Sequence, residues 1–164
     1  GIDIQAKQLG VLFARAREHK GASFIELIQN CIVYNDAVFS EFTEKAVAAE
    51  MQLHAVHGQP LLYGKEMNKG LRLNTQTLKL ETVVVGENGI TADDILVHDE
   101  KNRVLAGMLA AVRPPQFPEI LGVFYCDPAQ SYEAAVSEQN EKAKANGLGD
   151  LDKLMHAGNT WSVE

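Results

Sequence analysis

Residues 19–31 read HKGASFIELIQNC, and this stretch decides the predicted fold. Gly21, a residue that commonly ends a helix, comes just before a nearly continuous apolar run from Phe24 to Ile28. Buried strands of a parallel sheet have this composition because helices cover both faces of the sheet. The polar group Gln29-Asn30-Cys31 follows at the carboxyl end of the run, where open α/β sheets bind their ligands. The pattern therefore predicts an α/β protein with a buried strand over 22–29.

Helical patterns lie on both sides of this strand. Upstream, a helix is predicted from Asp3 to His19, and downstream a second helix from about Ala37 to Met51. The apolar residues of the first pattern recur at spacings of three and four: Ala6, Leu9, Phe13 and Ala16.

An antiparallel ribbon is predicted within 54–85, beyond the helical patterns. Leu71-Arg72-Leu73 and Leu78-Lys79-Leu80 alternate as strands do when one face is wet. This ribbon is interpreted as part of an α+β extension that follows the parallel-sheet domain. The later segments predict a capped turn, a helix, a short buried strand, a polar helix and a tail helix, in the order Thr91–Asp94, Asn102–Val112, Ile120–Tyr125, Ser131–Ala145 and Leu151–His156.

The composition limits the classes of function. Of the 164 residues, 46% are apolar and 23% are charged, which excludes a disordered or low-complexity chain. Lys and Arg total 15 against 22 Asp and Glu, a net charge of −7 that argues against nucleic-acid partners. With no apolar run long enough for a bilayer and no secretory leader pattern, we expect a cytoplasmic protein without a membrane partner. Its two cysteines are then expected to be free thiols.

Cys31 is the sharpest candidate for chemistry. It is interpreted as a thiolate nucleophile, as a metal ligand, or as an ordinary small buried residue. A nucleophile needs a base nearby, and the local sequence offers none. A zinc or iron–sulfur site needs four ligands, so two cysteines cannot complete it and further ligands would have to come from outside this sequence.

Three other polar groups are weaker candidates. His54 and His57 form an H-x-x-H pattern that shares one side of a helix, although surface histidines are the favoured interpretation. His98-Asp99-Glu100 is interpreted as a turn in preference to an interface. Cys126, after an apolar run, is interpreted as a simple core or surface thiol.

Taken together, these segments resemble the beta subunit of the thiamine-diphosphate-dependent 2-oxoacid:ferredoxin oxidoreductases. The resemblance covers about residues 3–132, and the long middle insertion is more similar to the 2-oxoglutarate type than to the pyruvate type. The segments that carry it are His19-Lys20-Gly21, Ser23-Phe24-Ile25-Glu26, Gln29-Asn30-Cys31, Asn35-Asp36, His57-Gly58-Gln59-Pro60-Leu61, Gly64-Lys65, Lys69-Gly70-Leu71-Arg72-Leu73, Val97-His98-Asp99-Glu100, Pro118 and Gly122-Val123-Phe124.

The resemblance implies that this sequence corresponds to the carboxyl-terminal half of such a subunit. The family's three early cysteines and its Gly-Asp-Gly…Asn motif for Mg²⁺ and diphosphate are not in this sequence. Residues 1–52 would then end a thiamine-diphosphate-binding, doubly wound parallel-sheet domain. Residues 53–132 would form the subunit's carboxyl-terminal extension, with 133–164 as a helical tail.

The resemblance also implies a function. The family decarboxylates a 2-oxoacid oxidatively with coenzyme A and passes the electrons through a [4Fe–4S] cluster to ferredoxin. Cys31 occupies the place of the family's fourth cluster ligand, so it is the expected cofactor-binding and metal-binding residue. Thiamine diphosphate and Mg²⁺ are the other implied cofactors, and the alpha subunit is an implied partner. This sequence alone is expected to be inactive. The competing interpretation is a non-catalytic module that docks to a partner subunit.

Overall fold

The computed structural model describes residues 1–147, 149–159 and 161–163. The chain divides into two compact units: Gly1–His19 with Ser23–Asp127, and Lys20–Ala22 with the segment from Pro128 onward. Within the described ranges, no helix is long and apolar enough to cross a membrane. The fold is mixed α/β, as the sequence predicted, with one parallel and one antiparallel sheet.

The first unit contains two small sheets. Strands β1 (Gln52–Ala55) and β5 (Glu119–Gly122) pair in parallel, with Leu53 opposite Ile120. The antiparallel sheet has the order β2-β3-β4, and its strands are β2 (Leu62–Tyr63), β3 (Lys69–Asn74) and β4 (Lys79–Val84).

The predicted ribbon is confirmed as the hairpin of β3 and β4. Leu71 and Leu80 are buried, whereas Arg72 and Glu81 pair across the strands through an ion pair of 2.8 Å. The capped turn is also confirmed, because the hydroxyl of Thr91 and the carboxylate of Asp94 form a capping box around a 3₁₀ turn.

Helix α4 (Arg103–Ala111) anchors the hydrophobic core. The side-chain oxygen of Asn102 accepts a hydrogen bond from the backbone N–H of Leu105, which fixes the start of the helix. Leu105 and Leu109 then face inwards, as predicted. A fully buried leucine contributes about 1.5–3 kcal/mol, so the core depends mainly on its aliphatic side chains. Its buried members are Leu53, Ala55, Leu61, Tyr63, Leu71, Leu80, Leu105, Leu109 and Ile120.

The prediction of a buried strand over 22–29 is wrong for this structure. The segment is extended, but only Ile28 forms a bridge, with Ile2, and Phe24 is 91% exposed. A strand that is buried on both faces needs neighbours at both edges. Among the described residues, Gly1 and Ile2 supply a neighbour at one edge only.

Two short helices replace the single helix predicted from Ala37 to Met51: α2 (Ser40–Thr43) and α3 (Ala48–Met51). Phe42 is buried with Ile2 and Leu121, and Met51 packs against the same cluster. In one continuous helix, nine residues are about two and a half turns, which would put Phe42 and Met51 on opposite faces. The break between the two helices lets both side chains reach one cluster.

The helices at the amino and carboxyl ends follow the sequence closely. Helix α1 (Ala6–Glu18) lies within the predicted range, although none of its side chains is buried. In the second unit, Ser131 caps α5 (Tyr132–Ala145) and Asp150 caps α6 (Leu151–Met155). Residues 148, 160 and 164 of the predicted helical tail lie outside the described residues.

Gly122 should tolerate no side chain. Its φ is +120°, and a Cβ at this position would collide with the carbonyl oxygen of Ala55 on the paired strand. We expect Gly122→Ala to lower the free energy of unfolding by about 2 kcal/mol or more. Gly107→Ala is the matched control: it lies on α4 with open space around the added Cβ, and it should gain about 0.5–1 kcal/mol. Urea unfolding of both variants tests this, and equal stabilities would contradict the β1–β5 register.

Candidate functional site

Cys31 lies in a loop that is closed by side-chain hydrogen bonds. The amide nitrogen of Asn30 donates to Asp36 Oδ1 at 2.8 Å, and Asn30 Oδ1 accepts from the backbone N–H of Ala37 at 3.0 Å. Within this clasp, the N–H of Asn35 donates to the carbonyl of Cys31 at 3.0 Å. The ends of the loop are therefore tied together on either side of the thiol.

The loop turns backbone N–H groups toward the sulfur of Cys31. The nearby backbone N–H groups of Tyr34 and Val33, and to a smaller degree that of Asn35, lower the pKa of this thiol. Amide dipoles favour a negative charge on the sulfur. The side chain is exposed, so the sulfur is accessible, and the thiolate is the form of a cysteine that binds a metal or attacks an electrophile.

The surroundings of Cys31 fit one ligand of a larger site. In the part of the chain that the structure describes, no group of three or more His, Cys, Asp or Glu residues could hold a metal ion. The other cysteine, Cys126, is engaged elsewhere. Any metal ion or cluster bound at Cys31 would therefore need further ligands from outside the described residues.

The Cys31 loop and the segment before it expose large apolar side chains to solvent. Ile32 and Val33 are each 77% exposed and Tyr34 is 92% exposed. Phe24, in the extended segment before the loop, is equally open. Such a concentration of exposed apolar side chains is typical of surfaces that another protein covers.

A second polar cluster centres on Glu100, whose side chain is buried. Both terminal nitrogens of the Arg15 guanidinium donate to the two carboxylate oxygens of Glu100, at 2.7 and 2.6 Å. This pair holds the pKa of the Glu100 carboxyl below its usual range and raises the pKa of Arg15. It also ties α1 to the turn before α4.

The His98-Asp99-Glu100 triplet forms the predicted turn, and one of its side chains also makes a buried hydrogen bond. Asp99 Oδ1 accepts from the backbone N–H of Lys101, as a turn residue does. In contrast, His98 is fully buried and its Nε2–H donates to the carbonyl of Val123 at 2.7 Å. The sequence shows only turn residues here, because the partner of His98 is 25 positions away.

The favoured interpretation of His54 and His57 as surface histidines is confirmed, because both are exposed, and they do not share a helix. His54 lies on β1, and His57 lies in the turn that follows it. His57 Nδ1 accepts the backbone N–H of Glu100 at 3.2 Å, so this imidazole belongs to the Glu100 cluster.

Cys126 is half-buried, and the sequence did not predict its contacts. Its sulfur lies 3.6 Å from His19 Nδ1, and its backbone N–H donates to the carbonyl of Glu100 at 2.8 Å. His19 and Cys126 are 107 positions apart, so no local spacing could have signalled the pair. Both cysteines are free thiols, as expected.

Comparison with known proteins points to a subunit of a 2-oxoacid oxidoreductase as the class that this chain resembles. It is similar to the 2-oxoglutarate oxidoreductase subunit KorB of Mycobacterium tuberculosis, with 25% identity over 169 residues. The match covers 99% of this chain and 44% of KorB, so the chain spans less than half the length of that relative. No protein-family model and no solved structure matches.

The clasp of the Cys31 loop can be tested through thiol reactivity. Asn30→Ala removes both clasp hydrogen bonds of the Asn30 side chain, so the N–H groups should lose their fixed orientation toward the sulfur. We expect the midpoint of the pH dependence of Cys31 alkylation to rise toward the free-cysteine value of about 8.5. Mass spectrometry of the Cys31 peptide, after removal of bound metal, measures this. Asn68→Ala, which removes an exposed contact with Glu66, is the control. An unchanged midpoint in Asn30→Ala would contradict the clasp.

The Arg15–Glu100 pair should stabilise the fold in a pH-dependent way. Because the folded pKa of Glu100 is lowered, its contribution is complete above the unfolded value of about 4.3 and is lost as the pH falls through the folded pKa. Glu100→Gln should cost about 2 kcal/mol at neutral pH, after allowance for the partial exposure of Arg15. Urea unfolding at pH 7 and at about pH 2 should show this difference shrinking in acid. The exposed Glu66→Gln is the control, and a pH-independent difference would refute the ionic role.

Proposed function

We propose that this chain is part of the beta subunit of a 2-oxoacid:ferredoxin oxidoreductase, with 2-oxoglutarate as its 2-oxoacid. The observation that carries the proposal is the exposed thiol of Cys31 in a clasped loop whose N–H groups favour the thiolate. Similarity to KorB along almost the whole chain supports the class of enzyme. The reaction is the oxidative decarboxylation of the 2-oxoacid with coenzyme A to acyl-CoA and CO₂.

Cys31 acts in this proposal as one ligand of a [4Fe–4S] cluster. When bound, the cluster supplies one-electron transfer toward ferredoxin. The N–H groups of Val33 and Tyr34 would donate to the ligating sulfur, and such donors make the reduction potential less negative. The clasp between Asn30 and Asp36 keeps these donors in position.

The remaining cofactors and substrates are assigned mainly to other parts of the assembly. Thiamine diphosphate, Mg²⁺, the 2-oxoacid and coenzyme A would be held largely by residues beyond this sequence and by the alpha subunit. Residues 1–52 would complete the thiamine-diphosphate domain, with 53–132 as the extension and 133–164 as the tail. The assembly would work in the cytoplasm.

The second candidate function is a non-catalytic module that docks to a partner subunit. The exposure of Phe24 and Tyr34 favours it, because these side chains offer apolar area to a partner. The two candidates differ in what they require of Cys31. A docking module needs no metal at the thiol, whereas the oxidoreductase needs the thiolate as a ligand.

Replacement of Cys31 separates the two candidates. In the native protein, purified without oxygen, Cys31→Ser should lower the iron content, weaken the iron–sulfur absorption and reduce electron transfer to ferredoxin, because a hydroxyl is a poor ligand for the cluster. Cys126→Ser is the matched control and should leave the iron content and the absorption unchanged. Unchanged iron content and activity in Cys31→Ser would favour the docking module. Loss of iron in Cys126→Ser alone would identify Cys126, and not Cys31, as the cluster ligand.

A further inference from the structure

The proposed function makes no use of the second thiol. Cys126 Sγ lies 3.6 Å from His19 Nδ1, within hydrogen-bonding distance for sulfur. Both side chains are half-buried, so the pair is open to small molecules without being freely solvated. A thiol next to an imidazole is the arrangement in which a base can take the thiol proton as the sulfur reacts.

The backbone and a cation fix the position of this thiol. The N–H of Cys126 donates to the carbonyl of Glu100 at 2.8 Å, which sets the sulfur against the end of α1. Arg15 and His19 lie four residues apart on that helix end, and the N–H of His19 donates to the carbonyl of Arg15. The same Glu100 is held by the guanidinium of Arg15, whose terminal nitrogens lie 2.7 and 2.6 Å from its carboxylate oxygens.

We propose that Cys126 is a modification site for hydroperoxides, with His19 as the proton-transfer residue. The proposal is independent of the cluster assignment, since it involves neither Cys31 nor iron. In the reaction, the sulfur attacks the outer oxygen of the hydroperoxide, so an S–O bond forms and the O–O bond breaks. The sulfur is oxidised by two electrons and the peroxide is reduced.

The proton balance uses the imidazole twice. His19 Nδ1 takes the thiol proton as the S–O bond forms, and it returns a proton to the leaving alkoxide, which departs as an alcohol. The hydroperoxide's own proton stays on the oxygen that is transferred to sulfur. Cys–SH and ROOH thus give Cys–SOH and ROH.

The arrangement gives Cys126 a proton-transfer partner that Cys31 lacks among the described residues. Cys31 is surrounded by backbone N–H groups, which stabilise a thiolate but cannot exchange a proton with a leaving group. Among the described residues, no hydrogen bond joins an imidazole to Cys31, whereas Cys126 has one. Proton transfer by a positioned side chain typically contributes 10²–10⁴-fold to a rate.

The test measures sulfenic acid formation at each cysteine separately. The native protein is treated with hydrogen peroxide or cumene hydroperoxide in the presence of a chelator. Dimedone then traps the sulfenic acid, and mass spectrometry follows the Cys126 peptide over time. We expect His19→Gln to slow trapping at Cys126 by about tenfold or more. His156→Gln, an exposed histidine in the second unit, is the matched control and should react like the unaltered protein.

Two results would overturn the proposal. One is an equal rate at Cys126 in His19→Gln and in the unaltered protein, with circular dichroism showing both to be folded. The other is a rate at Cys126 in the folded protein that does not exceed its rate in the urea-unfolded protein. Because the readout is a modified peptide, it stays informative even if the cluster proposal fails.

Discussion

The bidentate ion pair of Arg15 and Glu100 is the contact on which the Glu100 cluster of the first unit depends. A buried carboxylate without a partner costs several kcal/mol, so Glu100 can stay buried only because the guanidinium occupies both of its oxygens. Helix α1 in turn needs the pair, since none of its own side chains is buried. At the start of the helix, the amide nitrogen of Gln5 donates to Gln52 Oε1 at 2.7 Å.

The effects of this pair extend through the backbone of Glu100. Its N–H is accepted by His57 Nδ1 and its carbonyl accepts from Cys126. A substitution that moves the Glu100 backbone would therefore also shift the imidazole of His57 and the thiol of Cys126. The buried His98, two residues earlier, holds the same turn against the strand end through the carbonyl of Val123.

The local elements could be predicted from sequence because their signals are local. The alternation of Leu71 and Leu73 predicts a strand with one wet face, and the apolar spacing after Asn102 predicts a helix. Cys31 was found by its position after an apolar run and by resemblance to a family. The contacts that organise the polar cluster gave no such signal, since Arg15 and Glu100 are 85 positions apart. The pairing of β1 with β5 is equally non-local, because parallel partners share no turn.

The two thiols are prepared for different chemistry by what surrounds them. Amide N–H groups at Cys31 lower the energy of a sulfur anion, but they cannot accept and return a proton. This environment suits a permanent ligand. The imidazole at Cys126 can accept and return a proton, which suits a reaction that breaks and forms bonds. Their exposures differ as well: Cys31 is exposed, whereas Cys126 is half-buried. The different roles proposed for these two cysteines therefore rest on the groups that surround each sulfur.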